Sequence, residues 1–200
     1  MADGLVDAQA LEKFLQRLGQ CFRHQATLYL VGGTSLLLVA GKTSTFDIDV
    51  QFSTENQYHA EFIRCLRTTS WELGIPVELA SPEQFNPLPA GFHDRRRFVA
   101  RYGSLDVFHF DFYSIALAKI HRGNEKDFDD VVSMIETGLI SITAIEGSVS
   151  SLGGEGNTGF LGTGRVFLAA PCRCSIILTS WTNASSLSPC RTPQRCACGI

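Results

Sequence analysis

The pattern of apolar and polar positions changes character near residue 145. Before that point it is regular. Leu11, Phe14, Leu15, Leu18 and Phe22 recur at helical spacing and predict an amphipathic helix over 8–24. Leu28 to Val31 is a short apolar strand, broken by Gly32-Gly33, and Thr34 to Ala40 reads as a short helix. Residues 41–44 turn the chain, and Phe46 to Phe52 alternates as the next strand. Thr54 with Gln57 has the form of a capping box, so a helix is predicted from there to about Leu73, ended by Gly74. Val77 to Ala80 is a third strand, and 81–95 a proline-containing connection. Arg97 to Tyr102 and Leu105 to Phe110 flank Gly103-Ser104 as a hairpin. Asp111 caps a helix over 112–121, and a last helix runs from Asn124 to Thr137 and stops at Gly138. The order α-β-α-β-α-β-β-β-α-α predicts an α/β (α+β) domain over 1–145, a small mixed sheet with helices packed against it.

After residue 145 helical periodicity ends, and only Cys174 to Trp181 has strand character. Residues 146–200 contain no Lys and no Asp, and they hold Cys172, Cys174, Cys190, Cys196 and Cys198. Metal binding by the two C-x-C pairs departs from the usual C-x(2–4)-C spacing and lacks a histidine. A disulfide framework conflicts with an N-terminus that shows no signal-peptide pattern. The third reading is a low-order tail, the product of a frameshift or an unselected extension in place of a native helical segment. The formal net charge of −3 argues against a general nucleic-acid-binding surface. The longest apolar stretch, Leu28 to Ala40, is too short to span a membrane, so a soluble cytoplasmic protein is expected.

The chemistry gathers in "LYLVGGTSLLLVAGKTSTFDIDV", residues 28–50. On a strand, Asp47 and Asp49 point one way, while Phe46, Ile48 and Val50 point into the core. Two carboxylates so close repel, and a divalent cation removes the difficulty. Mg²⁺ takes oxygen ligands and is commonly held by one or two carboxylates together with substrate phosphates. Gly32 and Gly33 end a strand and open a helix, where bare backbone and helix-start N–H groups suit a phosphate chain. Thr34 and Ser35 add hydroxyls.

Gly-Gly, a short helix and then h-D-h-D-h on a strand resembles the nucleotidyltransferase fold of the DNA polymerase β superfamily. "DFYSIALAKIHRGNEKDFDDVVSMIETGLIS", residues 111–141, resembles a downstream signature of one bacterial branch, related to toxins and antitoxins of abortive-infection systems. The resemblance implies nucleotide binding by Gly32, Gly33, Thr34 and Ser35, and Mg²⁺ binding by Asp47 and Asp49. It also implies a third acid on a neighbouring strand, Glu78 in "VEL" or its rival Asp106 in "LDV". Lys119 and Asp127 match a phosphate-contacting lysine and a further acid, although Asp127 also fits the first turn of a helix. Lys42 stands where relatives carry a basic residue, and Ser44 and Thr45 precede the acids. "HDRRRF", residues 93–98, is a basic run that suits a triphosphate, an RNA acceptor or a solvated face. His109 and His121 read as structural. The implied activity is Mg²⁺-dependent transfer of a nucleoside monophosphate from an NTP to a hydroxyl on a protein or RNA. The alternative is an inactive binding module, such as one component of a toxin–antitoxin pair.

Overall fold

The computed structural model describes residues 5–80 and 88–145, together with two two-residue strands at Phe167–Leu168 and Leu178–Thr179 that pair antiparallel. The rest of the predicted tail lies outside the described residues. Residues 5–145 form a mixed α/β fold on a five-stranded sheet. Helix α1 (Ala8–Cys21) starts at Asp7, whose carboxylate accepts from the Ala10 amide at 2.8 Å. Strand β1 (Ala26–Leu30) leads directly into helix α2 (Gly32–Val39), and strand β2 (Ile48–Thr54) follows. A 3₁₀ turn (Asn56–Tyr58) opens helix α3 (His59–Leu73), which closes at Gly74 in the left-handed region. Strands β3 (Val77–Leu79), β4 (Arg97–Tyr102) and β5 (Leu105–His109) precede helices α4 (Phe112–Arg122) and α5 (Glu125–Glu136).

The sheet order is β3-β2-β1-β5-β4. β1 runs antiparallel to β2 and parallel to β5, β2 parallel to β3, and β4 antiparallel to β5. Along β1 every second residue is fully buried: Ala26, Leu28 and Leu30. These pack with Ile48, Val50, Leu105 and Val107 against Leu11, Phe14, Leu15 and Leu18 of α1 and Phe62 and Leu66 of α3. One face of the sheet is therefore covered by α1 and α3, which are also joined by a Cys21–Cys65 disulfide with Cα atoms 5.7 Å apart. Among the described residues no helix is long and apolar enough to cross a membrane.

Two expectations are corrected here. Phe46 is not a core residue; it is 66% exposed, with the Lys126 ammonium 5.5 Å from its ring centroid. β2 begins only at Ile48, so strand alternation does not reach back to Phe46. Nor does Thr54 cap a helix. Its hydroxyl donates to the Gln25 carbonyl, Gln57 bonds Glu55, and the chain enters α3 through the 3₁₀ turn instead.

Candidate active site

Because β1 and β2 are antiparallel, the end of β1 and the start of β2 lie side by side, although α2 separates them in sequence. The Val31 amide donates to the Asp49 carbonyl at 3.0 Å and fixes that junction. The glycine pair forms the first turn of α2, and the acids enter β2 directly beside it. Gly32 has φ +53, and a Cβ there would lie 2.5 Å from Asp49 Oδ2. Only glycine meets both conditions. A Cβ on Gly33 would meet Thr45 Oγ1 at 3.0 Å and Lys42 Nζ at 3.3 Å, so that ammonium overhangs the turn.

Asp47, Asp49 and Glu78 each offer a carboxylate oxygen within 4.8 Å of the others. β3 lies parallel beside β2 with Glu78 opposite Asp49 in register. Asp47 and Asp49 are half-buried and Glu78 is exposed. Burial, then the charges of Asp47 and Glu78, push the Asp49 carboxyl up to about 6, against the pull of Lys119 and Arg122. Asp106 stands elsewhere. It pairs in register with Thr27, four residues along the sheet from the row of Asp49, which is about 13 Å. Arg101 holds it at 2.5 and 2.9 Å and Gln25 at 3.1 Å, and the Arg101 bond keeps its carboxyl below the usual range.

The hydroxyls expected at a phosphate are used inside the fold. Thr34 is fully buried; its Oγ1 accepts from the Asp49 amide at 2.8 Å and donates to the Asp47 carbonyl at 3.3 Å. It clamps the two acids to α2 and does not face an open seat. Ser35 is also fully buried, 2.7 Å from His109 Nδ1. Burial, then the Arg97 charge, pushes the His109 imidazole down to about 4, so it is neutral at pH 7. Ser44 is half-buried in the loop beside Thr45, whose backbone bridges Val6 in both directions at 2.7 and 2.8 Å.

Lys119 is 4% exposed, and its ammonium bonds Asp127 at 3.0 Å and Asp130 at 2.6 Å. Asp130 in turn takes Lys42 Nζ at 2.8 Å on both oxygens, and Arg122 holds Asp127 at 2.6 and 2.7 Å. Burial would raise the Asp127 carboxyl, but its bonds to Arg122 and Lys119 outweigh that and hold it at about 2. A ladder of alternating charge therefore runs from α4 and α5 to the ammonium above Gly33. Asp130 and Arg122 are members that the motif reading missed. Their signal is spacing: Asp127/Asp130 and Lys119/Arg122 are each i, i+3 pairs, on one face of their helix.

Over residues 9–150 the sequence matches the model of a family described as nucleotidyltransferase of unknown function (DUF6036). The chain belongs to that family. Within this nucleotidyltransferase-like family member, the glycine turn and the three carboxylates occupy one end of the sheet. The crystal structure of an antigenic nucleotidyltransferase-like protein from Paracoccidioides brasiliensis is similar at 14% identity and a TM-score of 0.45, covering 74% of this chain and 89% of that one. No curated protein matches the sequence.

Proposed function

We propose that the protein transfers a nucleoside monophosphate from an NTP to an acceptor hydroxyl, with Mg²⁺ held by Asp47, Asp49 and Glu78. The observation that carries this reading is the closeness of three carboxylates to a glycine turn overhung by a lysine. The donor set fits a hard divalent cation: it is all oxygen, and burial first, then the charges of Asp47 and Glu78, raise the Asp49 carboxyl. Bound there, the ion would supply charge neutralisation at the phosphates.

The chain's own groups do the rest. Backbone at Gly32 and Gly33 seats the triphosphate without a side chain in the way. Lys42, held over Gly33 by Asp130, supplies positive charge to it. Thr34 fixes the acids relative to that seat. The acceptor oxygen forms a bond to the α-phosphorus as the bond to the bridging oxygen breaks, and pyrophosphate leaves with that electron pair. Glu78, the exposed acid, is placed to take the hydroxyl proton. Lys119 serves by aligning Asp130, because its own ammonium is buried between two carboxylates. Catalysis here is positioning plus charge stabilisation.

The second reading, an inactive member that binds a partner such as the other half of a toxin–antitoxin pair, draws on that same burial of Lys119. The two separate on one experiment. The full chain is incubated with Mg²⁺, α-labelled NTPs and cell extract. The proposal expects a labelled acceptor that disappears with Asp47→Asn/Asp49→Asn. Equal labelling by that variant refutes it, and a protein that gains no thermal stability from Mg²⁺ plus NTP supports the inactive reading.

A further inference from the structure

The sheet face opposite α1 and α3 carries a row of aromatic rings. Tyr29 on β1 pairs in register with Phe108 on β5, and Phe108 with Phe98 on β4, so all three project from that face. Ring centroids are 6.2 Å apart for Tyr29 and Phe108 and 5.3 Å for Phe98 and Phe108. Phe98 is 57% exposed, and the other two are half-buried against each other. Isolated surface phenylalanines need no explanation, but a continuous row does. The row starts beside the acids: Tyr29 pairs with Gln51, two residues along β2 from Asp49 on the same face, a step of about 7 Å.

The acids stand at the Tyr29 end of the row, Asp106 on the same face is bonded to Arg101, and one further arginine stands directly over the row. Arg96 leans over Tyr29, its Cζ 5.2 Å from the ring centroid and its Nη1 donating to the phenol at 2.5 Å. Arg97 is exposed and lies over Phe112, but it pairs in register with the buried His109 and so projects from the other side of β4 from Phe98. Both arginines line a cavity of about 220 Å³ at the β4 end, together with Arg95, Asp94 and Asp111. Arg95 is the structural member of the run, bonded to both oxygens of the buried Asp111 at 2.8 Å.

We propose that this face binds the acceptor, and that the acceptor is the end of a single-stranded polynucleotide whose bases stack on the row of Tyr29, Phe108 and Phe98 while Arg96 meets its phosphate. The inference deepens the nucleotidyltransferase reading and rests on it. Base–aromatic stacking with cationic groups tracking the backbone is how single strands are held without sequence readout. The row spans three strands, about 10 Å, which is wider than the single base an NTP brings.

The test is fluorescence anisotropy of the full chain with labelled oligouridine and oligothymidine 12-mers, without NTP or Mg²⁺. Wild-type protein binds at low salt. Phe98→Ala, at an exposed position, weakens binding roughly ten-fold, and Phe98→Trp retains it. Preference for one oligomer identifies RNA or DNA as the source. Stabilisation by Mg²⁺ plus NTP is unchanged in Phe98→Ala, so loss of that response in wild type strikes the nucleotide reading alone. No oligomer binding by wild type, or equal binding by Phe98→Ala, overturns the proposal and leaves the row as a face for a protein partner.

Discussion

Replacing Asp49 with Asn should make the metal-free protein more stable while removing its response to metal. The Asp49 carboxyl is raised from 3.8 to about 6 by burial and by the charges of Asp47 and Glu78. A shift of that size corresponds to about 3 kcal/mol of disfavoured ionisation. The sign follows from proton counts. Below about pH 4 the group is protonated in folded and unfolded chains alike, and it carries no penalty. Between about 4 and 6 the unfolded chain releases the proton first, so stability falls as pH rises. Above 6 the full penalty persists. Asn at position 49 has no charge to lose, so Asp49→Asn should gain about 2 kcal/mol at pH 8 in EDTA and almost nothing at pH 4. For a chain of this size that is a rise in Tm of about 4–8 °C at the higher pH. Urea denaturation followed by far-UV circular dichroism, run at both pH values with EDTA and then with Mg²⁺ or Mn²⁺, gives the comparison. A variant less stable than wild type at pH 8 in EDTA, or a difference that does not shrink at pH 4, would refute the electrostatic argument.

Three other outcomes follow from the geometry. Gly32→Ala forces a side chain into φ +53 and toward Asp49 Oδ2, so it should cost at least about 1–2 kcal/mol and weaken metal binding, measured by denaturation and by calorimetric titration. Lys119→Met strips a buried ammonium from two carboxylates and should cost about 3 kcal/mol, part of it recovered in Lys119→Met/Asp127→Asn, as a double-mutant cycle would register. His109, held neutral with its imidazole near 4, should make stability rise with pH between about 4 and 6.5, opposite in sign to Asp49. The rise shows most clearly in urea midpoints of Asp49→Asn, and a flat profile there would contradict the buried-imidazole account.

Periodicity made the element order legible, because the buried positions of α1, β1 and β5 repeat at their structural spacing. The Gly32-Gly33 and Asp47/Asp49 motifs could be seen in sequence because each needs an unusual residue at a fixed place. What could not be seen was direction. Thr34 and Ser35 look like phosphate donors in a string of letters, and only the packing of α2 turns both hydroxyls inward. Phe46 looks apolar and therefore internal, yet β2 starts two residues later. Choosing between Glu78 and Asp106 required the strand order, which sets one acid opposite Asp49 and gives the other to Arg101. Asp130 lay outside the motif reading, because its i, i+3 spacing with Asp127 marks a shared helix face but not a bond to Lys42 across 88 residues.

That long-range bond bears on how the protein is made. The glycines and the acids leave the ribosome well before the carboxylate that tethers Lys42, which stands 88 residues downstream. A nascent chain stopped after β5 would hold every strand of the five-stranded sheet and both Asp47 and Asp49, yet its loop at 41–47 would lack the anchor that α5 provides. The ammonium over Gly33 should thus take its place only after α5 has been made.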